Sequence, residues 1–112
     1  MGVDEDDLDG HSITRRYEDD TFIRIMIRRT TADQNPSGWR YALHYGTVDP
    51  ENSGLRTLSD GTIRRYDNAH EDTKGHELHI APDPEPVTVE FPGMIELYDR
   101  FWAEIPKQRI DP

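Results

Sequence analysis

The clearest pattern along the chain is an alternation of apolar and polar residues with a period of two, which predicts β-strands. Residues 21–31 place three isoleucines on one face and two arginines with Phe22 and Met26 on the other. Residues 39–45 place their aromatic residues and a leucine on one face and Arg40, Ala42 and His44 on the other. The predicted apolar face consists of Ile23, Ile25, Ile27, Trp39, Tyr41, Leu43 and Tyr45. Because both strands have a strongly apolar face, that face is predicted to be the buried side of the sheet.

Shorter segments predict further strands, separated by turn residues and by a proline-rich linker. The predicted strands are 12–18, 55–58, 62–67, 77–80 and 87–91. Segments 55–58 and 62–67 flank Ser59-Asp60-Gly61, and an Asp-Gly pair favours the tight turn of a hairpin. These signals predict an antiparallel sheet.

The last periodic segment has helical spacing and predicts one C-terminal helix. Its apolar stripe consists of Met94, Leu97, Tyr98, Phe101 and Ile105. Pro92 suits a first helical turn, and Pro106 ends the helix. The predicted fold class is therefore α+β, an antiparallel sheet of five or six short strands with this helix packed on it.

Length and composition predict one small domain. The chain has 112 residues, 33% of them hydrophobic, and no cysteine, which excludes disulfides and cysteine-ligated metals. We expect residues 1–11 to be a disordered acidic tail, residues 12–106 to be the domain and residues 107–112 to be a short tail. No apolar run predicts a membrane span. The acidic N-terminus is unlike a signal peptide and predicts a cytoplasmic protein.

The charge is strongly acidic and unusually poor in lysine. The chain has 23 acidic and 13 basic residues, for a formal net charge of −10, and 11 of the basic residues are arginine. This composition is typical of salt-accumulating haloarchaea, since at molar salt the Debye length falls to about 3 Å and the charges repel each other weakly. In such salt the net charge no longer excludes RNA as a partner, and local arginines matter more than the total.

Residues 64–80 are the candidate functional segment, because three of the five histidines lie there. One interpretation is a metal site formed by His70, His76 and His79 with Asp67. Its spacing does not match a helical zinc motif, and we expect no metal or other cofactor. Another is structural, since Asp67 and Asn68 are typical of strand ends and turns.

A third interpretation is metal-free ribonuclease chemistry, which needs a base, an acid and a positive group near the phosphate. His76 or His79 would supply the base or acid, and Arg64 or Arg65 would hold the phosphate. His79 should point away from the core, and we expect His76 and Arg64 to converge with it on that face.

The order of these elements resembles the TumE-type toxins of type II toxin–antitoxin systems. The matching residues are Tyr66, Asp67, Asn68, His70, His76 and His79, between a strand and a C-terminal helix. The resemblance implies a toxin neutralised by a helix-turn-helix antitoxin. Together with the ribonuclease interpretation, it leaves a candidate catalytic set of His70, His76, His79 and Asp67, and a candidate substrate-binding set of Arg64, Arg65, Tyr66 and Asn68.

A non-catalytic protein-interaction module is the alternative function, with the helix and the aromatic sheet face binding a partner. The arginines at 24, 28 and 29 are either an RNA-facing surface or an ordinary solvent-facing side of the sheet. His11 and His44 are isolated in the sequence, and we assign no role to either.

Overall fold

A computed structural model describes residues 3–112 as a six-stranded antiparallel sheet in which every strand pairs with its neighbours in sequence. The strands are β1 (Ser12–Arg16), β2 (Thr21–Arg29), β3 (Trp39–Thr47), β4 (Thr62–Asp67), β5 (His76–Ile80) and β6 (Val87–Val89). The helices are α1 (Glu5–Leu8), α2 (Glu71–Lys74) and α3 (Met94–Glu104). The predicted α+β class is confirmed.

The β2–β3 pair is buried on one face, as the alternation predicts. Ile25 faces Leu43 and Ile27 faces Tyr41 across the ladder, and all four side chains are buried. Period-two alternation places the residues between them on the opposite side of the sheet.

Helix α3 covers the apolar face and completes the core. Its predicted stripe is confirmed, because Met94, Leu97, Tyr98 and Phe101 are fully buried. Burying each such side chain contributes about 1.5–3 kcal/mol, so the contact between helix and sheet is a main source of stability.

Segments near both ends of the described chain pack on this core, which differs from the expected tails. Residues 1 and 2 of the expected N-terminal tail lie outside the described residues. Residues 5–8 form a helix capped by reciprocal hydrogen bonds of Asp4 and Asp7, and Leu8 is fully buried. At the other end Lys107 pairs with Asp19 at 2.7 Å. A single leucine among acids has no detectable periodicity, and its burial depends on contacts distant in sequence.

The predicted strand at 55–58 is wrong, although the predicted turn is present. Strand β4 pairs directly with β3, so residues 48–61 form the loop between them. The backbone N–H of Gly61 donates to Leu58, and that of Thr47 donates to Gly61. Gly61 has φ +91°, and a Cβ there would lie 2.3 Å from the Thr47 carbonyl oxygen, so only glycine fits.

The second face of the sheet is covered by no helix in the described part of the chain. We call it the open face, and its side chains include Phe22, Arg24, Met26, Arg28, Arg40, Ala42, His44, Arg65, Asp67, Glu77 and His79. Separately, no helix among residues 3–112 has the length and apolarity to span a membrane.

Candidate functional site

Three of the predicted site residues meet on the open face, on adjacent strands β4 and β5. Arg65 lies opposite His79 in the ladder, and Asp67 lies two residues further along the same face. The Asp67 carboxylate is 3.0 Å from Arg65 Nε and 3.1 Å from His79 Nε2. Arg65 Nη2 is 3.3 Å from His79 Nε2, so the three side chains form a compact triangle.

The open face concentrates positive charge in an acidic protein. Arg28 and Arg40 lie directly opposite each other in the β2–β3 ladder. Like charges in that arrangement destabilise a sheet. Among residues 3–112, Arg24, Arg28 and Arg40 form no ion pair with a carboxylate.

Arg29, which the sequence grouped with these arginines, lies on the covered side instead. It pairs with Asp6 at 2.8 Å and lies over the Trp39 ring. The arginines of the open face therefore form a group by strand alternation rather than by proximity in sequence.

A shallow concavity of about 440 Å³ lies between two of these arginines and the Arg65–Asp67 side of the triangle. Its lining includes Arg24, Arg40, His44, Arg65 and Asp67. Burial, followed by the positive charge of Arg65, lowers the pKa of His44 to about 4. His44 is therefore a neutral imidazole at neutral pH.

His76 does not converge with His79, and this prediction is wrong. His76 has the same strand parity as Leu78, so its ring enters the covered side of the sheet. Its Nδ1 is 2.7 Å from the Tyr41 hydroxyl, and its ring stacks on Phe91 with centroids 4.5 Å apart. Burial lowers the pKa of His76.

Asn68 is fully buried and ties the end of β4 to β3. Its Oδ1 accepts from the Tyr41 backbone N–H at 3.0 Å, and its Nδ2 donates to the Trp39 carbonyl at 2.6 Å. Nδ2 also donates to Glu71 at 2.7 Å, and Glu71 accepts from the backbone and side chain of Ser37. All these contacts are internal to the fold.

Arg64 and Tyr66 lie on the covered side, next to the end of α3. The Tyr66 hydroxyl donates to Glu104 at 2.5 Å, and Arg64 pairs with the same carboxylate at 3.3 Å. Arg64 is therefore separated from the open face, contrary to the expected convergence. His70 is exposed at the start of α2, and its backbone carbonyl accepts from Thr73 and Lys74.

One cluster on the open face has the donor atoms to hold a metal ion. Asp67, Glu77 and His79 each offer one ligand atom, all within 4.8 Å of one another. The Arg65 guanidinium contacts two of these three groups and adds a fixed positive charge beside them. That charge opposes a cation, and we assign no metal to the cluster.

Sequence reasoning missed His44 and Arg40. His44 lies opposite Arg65 in the β3–β4 ladder, which brings it to the triangle from 21 positions away in sequence. The alternation of β3 already placed both side chains on the face opposite the aromatic residues. The missing information was the register between β3 and β4.

Two comparisons with known proteins gave no match, one with curated proteins and one with solved structures. The comparison with family models matched the model described as toxin TumE over residues 3–109. That range includes all six strands, the helix α3 and the whole open face. The chain therefore belongs to the TumE toxin family.

Proposed function

We propose that this protein is the toxin of a toxin–antitoxin pair and that it cleaves RNA in the cytoplasm without a metal, on the open face of its sheet. Membership in a toxin family implies an antitoxin partner. The observation that supports RNA as the substrate is the basic open face of a chain whose net charge is −10. Arginines that face one another without carboxylates are stabilised by an anionic ligand.

The shape of the open face favours a nucleic acid strand over a small anion. Arg28 and Arg40 lie at one end of the surface and Arg65 at the other, on three adjacent strands. Adjacent strands are about 4.8 Å apart, so the arginines extend over a distance that several phosphates of a single strand would span. Met26 and Ala42 lie between these arginines and provide an apolar surface on which bases can pack.

The proposed cleavage centre is the Arg65–Asp67–His79 triangle. Arg65 holds the phosphate, His79 exchanges a proton with the RNA, and Asp67 orients the imidazole through its contact with Nε2. Of the sequence-predicted residues, Tyr66, Asn68, Arg64 and His76 position the scaffold in this proposal. His70 has no role in it.

RNA binding is tested with a labelled single-stranded RNA at 0.1–0.5 M KCl. The double variant Arg28→Gln/Arg40→Gln should weaken binding and reduce the slope of log K against log salt by about 0.7 for each phosphate that the protein no longer neutralises. Arg100→Gln is the matched control, because Arg100 is exposed on α3, on the other side of the sheet. Equal affinity and slope for all three proteins would contradict RNA binding at the open face.

Cleavage is tested with the same RNA in the presence of EDTA. The native protein should cut it, and His79→Gln should lose at least about 100-fold in rate. His70→Gln is the control and should cut at the native rate. Activity that EDTA abolishes and Mn²⁺ restores would contradict the metal-free mechanism and favour the Asp67–Glu77–His79 cluster. Tight RNA binding without any cleavage would favour the interaction module.

We further propose that the antitoxin carries a helix-turn-helix and that the host is a haloarchaeon. The resemblance of residues 64–80 to TumE-type toxins supports the first statement, and the low lysine content with a charge of −10 supports the second. The genomic neighbourhood tests both. A short helix-turn-helix reading frame beside this gene is expected, and its absence would contradict the proposed partner. Location of the gene in the genome of an organism other than a haloarchaeon would contradict the proposed host.

A further inference from the structure

Two imidazoles lie on either side of Arg65 in one row across three strands. In the β3–β4 ladder His44 pairs with Arg65, and in the β4–β5 ladder Arg65 pairs with His79. With about 4.8 Å between neighbouring strands, the Cα atoms of His44 and His79 are about 10 Å apart. This separation leaves room for one phosphodiester between the two rings, above the arginine.

Neighbouring groups hold the His44 ring in place. Its Nε2 is 2.9 Å from Thr62 Oγ1, and Phe22 packs edge-on against the ring at 5.0 Å. The Thr62 backbone N–H in turn donates to Asp60 at 3.0 Å. A hydrogen bond from one ring nitrogen fixes the tautomer and orientation that the other nitrogen offers.

The second ring nitrogen of His44 is available to a ligand. Within residues 3–112, Nδ1 has no hydrogen bond, since the ring's one polar contact is made by Nε2. In the same part of the chain, Trp102 Nε1 is the only fully buried side-chain nitrogen or oxygen without a hydrogen bond. The unpartnered Nδ1 of His44 is therefore at least partly exposed, and His44 lines the concavity.

We propose that His44 is the second catalytic imidazole of the site and removes the proton from the 2′-hydroxyl of the RNA, while His79 protonates the leaving 5′-oxygen. The inference rests on the proposed function, and it identifies the missing base of that reaction. The pairing replaces the sequence-based pair of His76 and His79, whose rings lie on opposite sides of the sheet.

The reaction balances without a metal or a water molecule. The 2′-O–H bond breaks and its proton goes to His44, as the 2′-oxygen forms a bond to phosphorus. The P–O5′ bond breaks, and the 5′-oxygen takes a proton from His79. The products are a 2′,3′-cyclic phosphate and a 5′-hydroxyl, and both imidazoles then exchange protons with solvent.

The charges around His44 agree with its assignment as the base. Arg65 and Arg24 oppose a proton on the ring, Asp60 favours one, and His79 faces it from β5. In the free protein the ring is therefore neutral at pH 7 and ready to accept a proton. A bound phosphodiester adds a negative charge beside it and shifts its pKa up towards the working pH.

The test separates base from acid with two RNA substrates that differ in one atom. In the second substrate a sulfur replaces the 5′-bridging oxygen at the cleavage site, and a thiolate leaves without needing a proton. His44→Gln and His79→Gln should each lose about 100-fold or more on the normal substrate. The sulfur substrate should restore His79→Gln to within about tenfold of the native rate and leave His44→Gln impaired.

Each result decides between the proposals. Restoration of both variants, or of His44→Gln alone, overturns the assignment of His44 as the base. A His44→Gln rate within threefold of native overturns its catalytic role and leaves the proposed function intact. No cleavage by the native protein overturns both. The test remains valid for a partly unfolded variant, because the ratio of its rates on the two substrates is independent of the folded fraction.

Discussion

Replacing Asn68 by alanine should destabilise the protein strongly and leave its RNA chemistry unchanged. The Asn68 side chain is fully buried and makes hydrogen bonds to Tyr41, Trp39 and Glu71. Alanine would leave a buried N–H, a buried carbonyl and a carboxylate short of one partner each. Each unsatisfied group costs about 1–3 kcal/mol, and the costs add incompletely, so we expect a loss of about 3–5 kcal/mol.

Urea unfolding at fixed KCl measures this loss through the fluorescence of Trp39 and Trp102, which both lie in the core. With a slope of about 1.5 kcal/mol per molar urea, the midpoint should fall by about 2–3 M. Asn52→Ala is the matched control, because Asn52 is exposed and its contacts to Asp49 are local. Its midpoint should stay within about 0.3 M of native, as expected for a surface substitution.

The same substitution should leave RNA binding unchanged. Below its unfolding transition, Asn68→Ala should bind RNA with native affinity per folded molecule, because Asn68 has no contact with the open face. A native midpoint combined with a loss of RNA binding would refute the reasoning, since it would make Asn68 a substrate-binding residue.

Three further predictions concern the N-terminal segment, pH and salt. Leu8→Ala should reduce the free energy of unfolding by about 2–5 kcal/mol, whereas a disordered tail predicts no change in the urea midpoint. Burial lowers the pKa values of His11, His44 and His76, so the unfolded chain binds more protons than the native state below about pH 6.5. The thermal midpoint should therefore fall from pH 7 to pH 5, and His44→Gln should reduce that fall; a midpoint that rises would contradict it. Between 0.1 and 2 M KCl the thermal midpoint should rise by about 5 °C or more as the net charge is screened, and a decrease would contradict the halophilic interpretation.

The sheet and the C-terminal helix are predictable because their information is local. A strand with Ile23, Ile25 and Ile27 on one face can bury these side chains only if that face packs against the core. The failures have non-local causes. Leu8 is buried by contacts with the distant core, and segment 55–58 has no partner because β4 already occupies the edge of β3.

The candidate site was predictable only in part, for the same reason. Alternation along β4 and β5 places Arg65, Asp67 and His79 on one face and His76 on the other. The approach of His44 depends on the register of β3 against β4, which shifts at an irregularity between Tyr45 and Gly46. No local pattern specifies that register, so a histidine that is isolated in the sequence becomes a neighbour of the triangle.

Growth of a salt-adapted host after induction of the gene, with capture of RNA ends that carry a 2′,3′-cyclic phosphate, tests the central claim most directly. The native protein should arrest growth and generate such ends, and His79→Gln should do neither. His76→Phe, which keeps an aromatic ring in the stack with Phe91, should remain toxic. Growth arrest by His79→Gln equal to that by the native protein would contradict RNA cleavage on the open face.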